Sequence, residues 1–396
     1  MPTTTDLDRR ITDSVREGAR RIPALAARLR AADLDPESVT HEGIAQLPIL
    51  TKDDLLAAQQ AHPPFGGLLS DSADVVRLFQ SPGPLYEPQL AGEDPWRWRP
   101  ALRAAGFGAD DVVMNCFGYH LSPAGAMFES GARALGARVV PAGIGSQDLQ
   151  ARAVADLGVS AYVGLPSYLK ALMDAFDAAG HDPSRWRLTK ALVTAEPLPD
   201  SLRSTLRERV PTVLMAYGTA EVGLIGYEDE PGGGLLVPDD IHVEVCDLST
   251  GAPVSDAVGQ VVITLLRTEY PLVRFGTGDL SRWIEGADGT RRLAGVLGRA
   301  GEAVKVKGMF LHPRQAADVL DPLEEVAAWQ FVIDRVDHKD HLNLRIVPAN
   351  GVADSGALAE RVGSAVRNGL RFSTGVEVVD SIPADSGPLV DLRTWD

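Results

Sequence analysis

The run DVVMNCFGYHLSPAGAMFESGARALGARVVPAG, residues 111–143, decides the fold class. Its two ends, 111–117 and 137–143, are short segments rich in valine, and its middle, 126–136, carries apolar residues at helical spacing. The same alternation of strand and helix, joined by short Gly and Pro turns, extends over residues 97–190. Such alternation predicts an α/β protein with a mostly parallel sheet covered by helices.

The pattern changes in the second half of the chain. After PGGG at 231–234, apolar alternation with Gly, Pro and Asp turns predicts a small β-rich subdomain over 231–298. A mixed helix and strand pattern follows, long enough for a domain of its own. We therefore predict an N-terminal domain at 1–298 and a smaller, mobile α+β domain at 299–396.

Composition limits the class of protein. The 396 residues carry a net charge of −16, from 54 acidic and 38 basic side chains, which disfavours nucleic acid and anionic membrane as partners. Two cysteines without metal-ligand spacing predict no zinc site. The N-terminus lacks an apolar signal core, and no run approaches about 18 apolar residues. We expect a cytoplasmic protein without a bound metal.

Four segments in a fixed order point to one family: the loop at 79–88, AYGTAEVG at 216–223, RFGTGDLSRW at 274–283 and GRAGEAVKVKGMFLHPRQAADVL at 298–320. Together they resemble the adenylate-forming (acyl-CoA synthetase) superfamily, and within it the phenylacetate-CoA ligases. The resemblance implies a reaction in two steps. ATP first converts a carboxylate into an acyl-adenylate, and the acyl group then passes to the thiol of CoA.

The loop FQSPGPLYEP, residues 79–88, departs from the family pattern. The resemblance places a phosphate-binding loop there, in which hydroxyls, backbone N–H groups and a lysine would surround the β- and γ-phosphates. This chain keeps Ser81 and Gly83, but two prolines remove N–H donors and Glu87 replaces the cation. A carboxylate facing a triphosphate is unfavourable. We interpret the segment as a degenerate loop, an ordinary Pro-rich turn rather than a working phosphate site.

The residues that the resemblance assigns to the nucleoside are largely kept. Tyr217 would stack on adenine, Asp279 would bind the ribose hydroxyls, and Arg299 would reach ribose or phosphates. Glu221 would help to hold Mg²⁺, although Ala220 replaces the hydroxyl that precedes it in the family. The alternative for Glu221 is a structural cap on the next element.

The C-terminal segment lacks the family's catalytic lysine. That lysine would follow a glycine and bridge carboxylate and α-phosphate, but Pro388 follows Gly387. Proline carries no charge to stabilise the transition state. Arg393 could take over only with a rebuilt loop. The hinge between the domains, an aspartate in the family, is Gly301, which still permits rotation.

A pocket for the acyl group is expected where predicted parallel strands end. The residues assigned to its wall are Phe117, Tyr119, His120, Ala216 and Gly218. Two aromatic rings favour a flat aryl or unsaturated group, and His120 could act as a general base toward a thiol. The alternative for His120 is a half-buried structural histidine.

The remaining candidate residues have structural alternatives as well. Cys116 is interpreted as a buried apolar filler rather than a nucleophile. His312 would lie near the pantetheine tunnel, or on the surface. Lys305 and Lys307 are candidates for contacts with CoA phosphates, and solvated surface is the alternative.

We hypothesise that the chain accepts an acyl or aryl thioester of CoA or phosphopantetheine and transfers the acyl group without ATP, with an acyl carrier protein as the acceptor. ATP and Mg²⁺ are doubtful as cofactors. Two alternatives stay open, an ATP-dependent aryl-CoA ligase and a non-catalytic binding partner in a biosynthetic complex. We expect no nucleic acid and no membrane partner, and a homodimer is among the open oligomeric states.

Overall fold

The structure, a computed structural model, describes residues 4–81, 83–300, 304–307, 309–311, 313–336, 339–351, 354–383 and 386–394; at positions 4, 5, 305, 309, 310, 314 and 315 it describes only the backbone. The chain divides into two compact units, Met1–Ala300 and Gly301–Asp396. We call these the N-terminal and the C-terminal unit. The predicted domain boundary, between 298 and 299, lies two residues before this division. Rotation of the domains stays a prediction.

The N-terminal unit contains both α-helices and β-strands. Its helices are α1 Thr4–Arg21, α2 Pro23–Ala31, α3 His41–Gln46, α4 Lys52–Ala61, α5 Arg99–Ala104, α6 Ala124–Arg133, α7 Gln147–Leu157, α8 Pro166–Ala178 and α9 Asp200–Arg207. Its strands are β1 Val75–Gln80, β2 Tyr86–Leu90, β3 Val112–Asn115, β4 Arg138–Val140, β5 Ala161–Gly164, β6 Lys190–Val193, β7 Thr212–Thr219, β8 Gly223–Tyr227, β9 Ile241–Cys246, β10 Gly259–Leu265, β11 Phe275–Ser281, β12 Trp283–Glu285, β13 Arg291–Leu293 and β14 Gly298–Arg299.

A six-stranded sheet in the order β4-β3-β5-β6-β7-β8 forms the centre of this unit. Its first five strands are parallel, and β8 returns antiparallel to β7. One core contains side chains of α5 and α6, and a second contains side chains of α7, α8 and α9. The predicted α/β class is confirmed, and the carboxyl ends of β3 and β7 lie at the same edge of the sheet.

The helix α4 begins with a capping box. The Thr51 side chain accepts a hydrogen bond from the Asp54 N–H, and the Asp54 carboxylate accepts one from the Thr51 N–H. These two bonds satisfy N–H groups that a helix start leaves unpaired. The cap fixes Lys52 as the first residue of the helix.

The segment predicted as a loop at 79–88 is a β-hairpin for most of its length. β1 and β2 pair antiparallel, with Phe79 opposite Glu87 and Gln80 opposite Tyr86. Glu87 therefore lies inside a strand and is 1% exposed, rather than standing in a loop. Only the short connection between 80 and 86 remains outside the strands.

The β-rich subdomain is present as a four-stranded sheet in the order β14-β11-β10-β9. The strand β11 of this sheet begins at Phe275. Pro271 to Arg274 stand outside β11, and Arg274 has a positive φ of 50°, a conformation that a strand does not contain.

The C-terminal unit is an α+β layer, described by itself. Its elements are β15 Val304–Val306, β16 Met309–Leu311, α10 Pro313–Leu320, β17 Val326–Val336, β18 Lys339–Pro348, α11 Ser355–Leu370, β19 Gly375–Val378 and β20 Leu389–Asp391. The long strands β17 and β18 pair antiparallel, and β19 and β20 join parallel on either side. The short strand β20 was not predicted from the sequence.

Candidate functional site

Glu221 lies at the tip of the hairpin between β7 and β8, beside the first residue of α4. Its Oε1 is 2.6 Å from Lys52 Nζ, and its side chain is 4% exposed. Burial alone would raise the pKa of this carboxyl, but the Lys52 ammonium holds it below the usual range. Glu221 is therefore ionised at neutral pH, with Lys52 as its counter-ion.

A second carboxyl, that of Glu87, is buried close to Glu221. Burial and the negative charge of Glu221 raise the pKa of Glu87 well above its ordinary value, and Lys52 and Arg267 oppose that shift. Its Oε1 has no hydrogen-bond partner among the described residues, and neither has the hydroxyl of Tyr270. The carboxyl groups of Glu87 and Glu221 are thus both buried near the Lys52 ammonium, and the Arg267 guanidinium also acts on Glu87.

The connection between β1 and β2 is closed on itself. The Ser81 N–H donates to the Leu85 carbonyl at 2.8 Å, and the Ser81 hydroxyl donates to the same oxygen at 3.3 Å. Gly83 is exposed, and a side chain there would meet no neighbour within 4 Å. The two Ser81 donors that could bind a phosphate are consequently both used inside the loop.

These contacts bear on the predicted doubt about ATP and Mg²⁺, which stays a prediction. Mg²⁺ binds through one or two carboxylates together with phosphate oxygens and water. The carboxylate in the expected position, Glu221, already holds an ammonium at 2.6 Å, and Glu87 adds a second carboxyl where the triphosphate would need a cation. Among the described residues, no group of three or more His, Cys, Asp or Glu side chains could hold a metal ion.

Three residues assigned to the nucleoside form one chain of contacts. The Tyr217 hydroxyl donates to Asp279 Oδ2 at 2.7 Å, and its oxygen lies 3.1 Å from Thr277 Oγ1. The other oxygen of Asp279 accepts a hydrogen bond from Arg299. Tyr217 and Asp279 are both buried, at 6% and 5% exposed. The structure brings the three residues together, and their roles toward adenine and ribose stay predictions.

The predicted acyl pocket is the location of a column of aromatic rings. Phe117 stacks on Phe128 with ring centroids 4.5 Å apart, and Phe128 lies 4.1 Å from Trp98. The Trp98 ring in turn covers Gly218, where an added Cβ would lie 2.8 Å from it. The column joins the two predicted pocket segments, but Phe117 packs in the core, and so does Ala216. Their role as pocket walls stays a prediction.

The loop after β3 lies against the β1–β2 hairpin. The Gln80 N–H donates to the Leu121 carbonyl at 2.9 Å, which places His120 beside the start of the degenerate loop. His120 is exposed, whereas the Tyr119 hydroxyl accepts a hydrogen bond from Asn115 Nδ2 at 2.8 Å. The His120 imidazole is therefore open to solvent at the edge of the sheet where the strands end.

Cys116, in the same segment, is 1% exposed, and burial raises the pKa of its thiol to about 12. A thiol with so high a pKa is protonated at neutral pH and is a poor nucleophile. The interpretation of Cys116 as a core residue agrees with its place among the buried side chains below α7 and α8.

Position 388 in the C-terminal unit is fixed by the sheet. The Pro388 carbonyl accepts a hydrogen bond from the Phe331 N–H at 2.9 Å, and the Gly387 carbonyl accepts one from Gln330 Nε2 at 3.0 Å. Arg393 pairs with Asp340 at 2.9 Å and with Asp391 at 2.7 Å. At 7% exposed, the Arg393 side chain is bound within its own unit and does not replace the absent lysine.

The other predicted contacts of this unit are only partly described. Lys307 is exposed and has a positive φ of 50°, and its N–H donates to Asp340 Oδ2 at 3.3 Å. For Lys305 the structure describes the backbone in β15 but not the side chain. His312 and the predicted hinge Gly301 lie outside the described residues. Contacts of Lys305 and Lys307 with CoA stay predictions.

Comparison with known proteins adds relatives of similar length. A phenylacetate-coenzyme A ligase of Aromatoleum evansii is 27% identical over 354 residues, which cover 85% of this chain and 80% of that protein. The one from Thermus thermophilus is 29% identical over 346 residues, covering 82% and 77%. This chain is similar to phenylacetate-coenzyme A ligases. No family model matches the chain.

Solved structures place the phenylacetate-CoA-ligase-like chain on the adenylate-forming fold. A 2-hydroxyisobutyryl-CoA ligase in complex with 2-HIB-AMP and CoA, in the thioesterification state, matches with a TM-score of 0.89 at 23% identity, over 99% of this chain and 91% of that one. The amide bond synthetase McbA from Marinactinospora thermotolerans matches with a TM-score of 0.58 at 19% identity, over 77% and 65%. The predicted fold is confirmed. Among the described residues, no helix has the length and apolar character needed to cross a membrane.

Sequence reasoning missed two contributors to this site. Lys52 is the first residue of α4, and nothing in its own segment marks it as a site residue. Trp98 lies just before α5 and covers Gly218. The acidic residue at position 87 could have indicated that a cation such as Lys52 lies nearby, since a pair of buried carboxyl groups needs one.

Proposed function

We propose that this chain transfers an acyl or aryl group from one thiol to another, starting from a preformed CoA thioester and using no ATP. The observation that carries the proposal is the contact of 2.6 Å between Lys52 Nζ and Glu221 Oε1. In this contact the Lys52 ammonium pairs with Glu221, the residue to which the resemblance assigns Mg²⁺. Glu87, beside it, occupies the position of the family's phosphate-binding cation. The acceptor we propose is the phosphopantetheine arm of an acyl carrier protein.

The reaction balances without a further co-reactant. The acceptor thiol loses its proton, its sulfur bonds to the acyl carbon, and the bond from that carbon to the CoA sulfur breaks. The proton ends on the CoA thiol. One thioester replaces another, so the exchange is nearly neutral in free energy and needs no activation by ATP.

His120 is the residue that we propose takes the proton from the acceptor thiol. It is exposed at the edge of the sheet where ligands of α/β folds gather, and the backbone bond from Gln80 to Leu121 fixes its loop. Histidine is the side chain that most often serves as a general base. The proposal assigns no catalytic part to Cys116, because its thiol is buried.

A second candidate function is ATP-dependent ligation of an aryl acid to CoA. The observation that favours it is the identity of the relatives, all phenylacetate-coenzyme A ligases at 27–29% identity. Under this alternative, Glu221 would have to release Lys52 and bind Mg²⁺, and the buried Glu87 would face a triphosphate.

One experiment separates the two functions. The protein is incubated with phenylacetyl-CoA and other aryl-CoA thioesters, a panel of phosphopantetheinylated carrier proteins, and EDTA, with no ATP. Intact mass spectrometry of the carrier should then show the added acyl group. Acyl-CoA formation from free acid, only when Mg²⁺ and ATP are present, would favour the ligase and contradict the proposal.

The role of His120 is tested in the same assay. His120→Ala should lower the transfer rate by about a hundredfold, the usual contribution of a general base, while the thermal unfolding curve stays unchanged. His62→Ala, at another exposed histidine of the same unit, is the matched control and should leave the rate unchanged. Full activity of a folded His120→Ala variant would remove His120 from the mechanism.

A further inference from the structure

We propose that Lys52 is the permanent cation of this site, so that the chain binds its anionic ligand without a divalent metal ion. The inference concerns the cation alone and does not depend on which acyl acceptor the enzyme uses. It rests on the placement of three side chains, those of Lys52, Glu221 and Glu87, which come from a helix start, a hairpin tip and a strand.

The position of Lys52 is built into the fold. The capping box between Thr51 and Asp54 fixes the start of α4, and Lys52 is its first residue. The tip of the β7–β8 hairpin presents Glu221 to it, at 2.6 Å from Nζ to Oε1. Glu221 is 4% exposed, so a counter-ion is required there, and the ammonium supplies it.

The charges of this cluster balance without a metal. Glu221 carries the negative charge and Lys52 the positive one, while Glu87 is 1% exposed and has an oxygen with no hydrogen-bond partner among the described residues. Burial and the charge of Glu221 raise the pKa of Glu87, which disfavours a second negative charge in the cluster. A divalent ion entering the cluster would be repelled by an ammonium already in contact, at 2.6 Å, with the Glu221 carboxylate.

The ammonium is also accessible to a ligand. The Lys52 side chain is 31% exposed, against 4% for Glu221, so an anion that enters from solvent meets the lysine before it meets the carboxylates. The class of ligand that such a site takes is a small anion or the negative end of a polar group, for example an oxygen on which charge develops.

The test measures binding of Mn²⁺ alone, as a probe for Mg²⁺, by electron paramagnetic resonance at pH 8. The wild-type protein should show no Mn²⁺ binding that depends on Glu221, so Glu221→Gln should leave its titration unchanged. Lys52→Met should bind Mn²⁺ more tightly by about tenfold or more, because the repelling charge is removed and two carboxyls are left. That gain should disappear in the double variant Lys52→Met with Glu221→Gln.

Two further variants distinguish the loss of the Lys52 charge from a general change in surface charge as the cause of tighter Mn²⁺ binding. Lys52→Arg keeps a cation and should show no gain. Lys170→Met breaks a surface pair, Lys170 with Asp174, of the same 2.6 Å length, and should also show none. Glu221-dependent Mn²⁺ binding by the wild type would overturn the proposal. So would a folded Lys52→Met variant that binds Mn²⁺ no more tightly than Lys170→Met.

The wild-type titration needs no substitution at Lys52, so the proposal can be refuted even where Lys52→Met fails to fold. The measurement contains no thioester, carrier protein or nucleotide. Failure of the acyl transfer assay and failure of this inference are therefore separate results.

Discussion

Replacing Glu87 by glutamine should change how the stability of the N-terminal unit depends on pH. The carboxyl is 1% exposed and its neighbour Glu221 is negative, so the pKa of Glu87 in the folded protein lies well above the ordinary 4.5. In the unfolded chain the carboxyl ionises near 4.5. Between these two values the folded state holds one proton more than the unfolded state.

The sign and size follow from that proton. Stability falls as pH rises wherever the folded state binds more protons, by about 1.4 kcal/mol for each pH unit between the unfolded and the folded pKa. The glutamine in Glu87→Gln cannot ionise, so the variant does not lose stability in this way as the pH rises. Relative to the wild type, the variant should therefore gain unfolding free energy as the pH rises above about 4.5, by up to about 1.4 kcal/mol for each pH unit.

The assay is urea denaturation at several pH values, followed by tryptophan fluorescence, since Trp96 and Trp98 are buried in the N-terminal unit. The pH slope is the readout, because the buried amide adds a constant cost of its own. Glu93→Gln, at an exposed carboxyl of the following loop, is the control and should follow the wild type. Equal pH slopes for Glu87→Gln and the wild type would refute the burial of an uncharged carboxyl at this site.

Two further predictions concern packing around the site and in the C-terminal unit. Gly223→Ala should destabilise the N-terminal unit by about 3 kcal/mol, because φ is +86° and the new Cβ would lie 2.5 Å from the Trp96 carbonyl oxygen. The control, Gly232→Ala, has a φ of +76° and open space around the new Cβ, so it should cost about 1 kcal/mol. Equal losses in thermal unfolding would contradict the close approach at Gly223. Arg393→Met should lower the stability of the C-terminal unit by about 2 kcal/mol, because Asp391 and Asp340 each lose an ion pair while Asp340 keeps Arg335 at 3.5 Å. Arg367→Met, at an exposed position, should change the stability little. Hydrogen exchange in the C-terminal unit measures the stability of both variants. An Arg393→Met variant as stable as the wild type would contradict a stabilising role for these ion pairs.

The central sheet could be predicted from sequence because strands and helices alternate with different hydrophobic periods. β5, for example, is a buried run of four residues between two helices with clear turns. The strand β20 could not be predicted in this way. Its three residues follow a glycine and a proline. The hydrogen bonds from the Phe331 N–H to the Pro388 carbonyl and from the Leu392 N–H to the Ile333 carbonyl show that the chain joins the sheet there.

The contacts between residues of the candidate site also could not be predicted from the sequence. The sequence identified Glu87 as a misplaced charge, but it could not reveal that pairing with Phe79 across the hairpin turns the carboxyl into the interior. Lys52 and Glu221 are far apart along the chain, and neither is unusual in its own segment. Their contact depends on the hairpin tip meeting a helix start, which is a tertiary relation that local patterns do not carry.

Release of pyrophosphate tests the central claim most directly. The protein is supplied with Mg²⁺, ATP, CoA and a panel of aryl acids that includes phenylacetate, and pyrophosphate is followed by a coupled assay. With Lys52 on Glu221 and a buried carboxyl in place of the phosphate-binding cation, we expect no release above the rate without enzyme. Turnover at the ordinary enzymatic rate of about one to ten per second, with an acyl-adenylate detected by mass, would contradict the account.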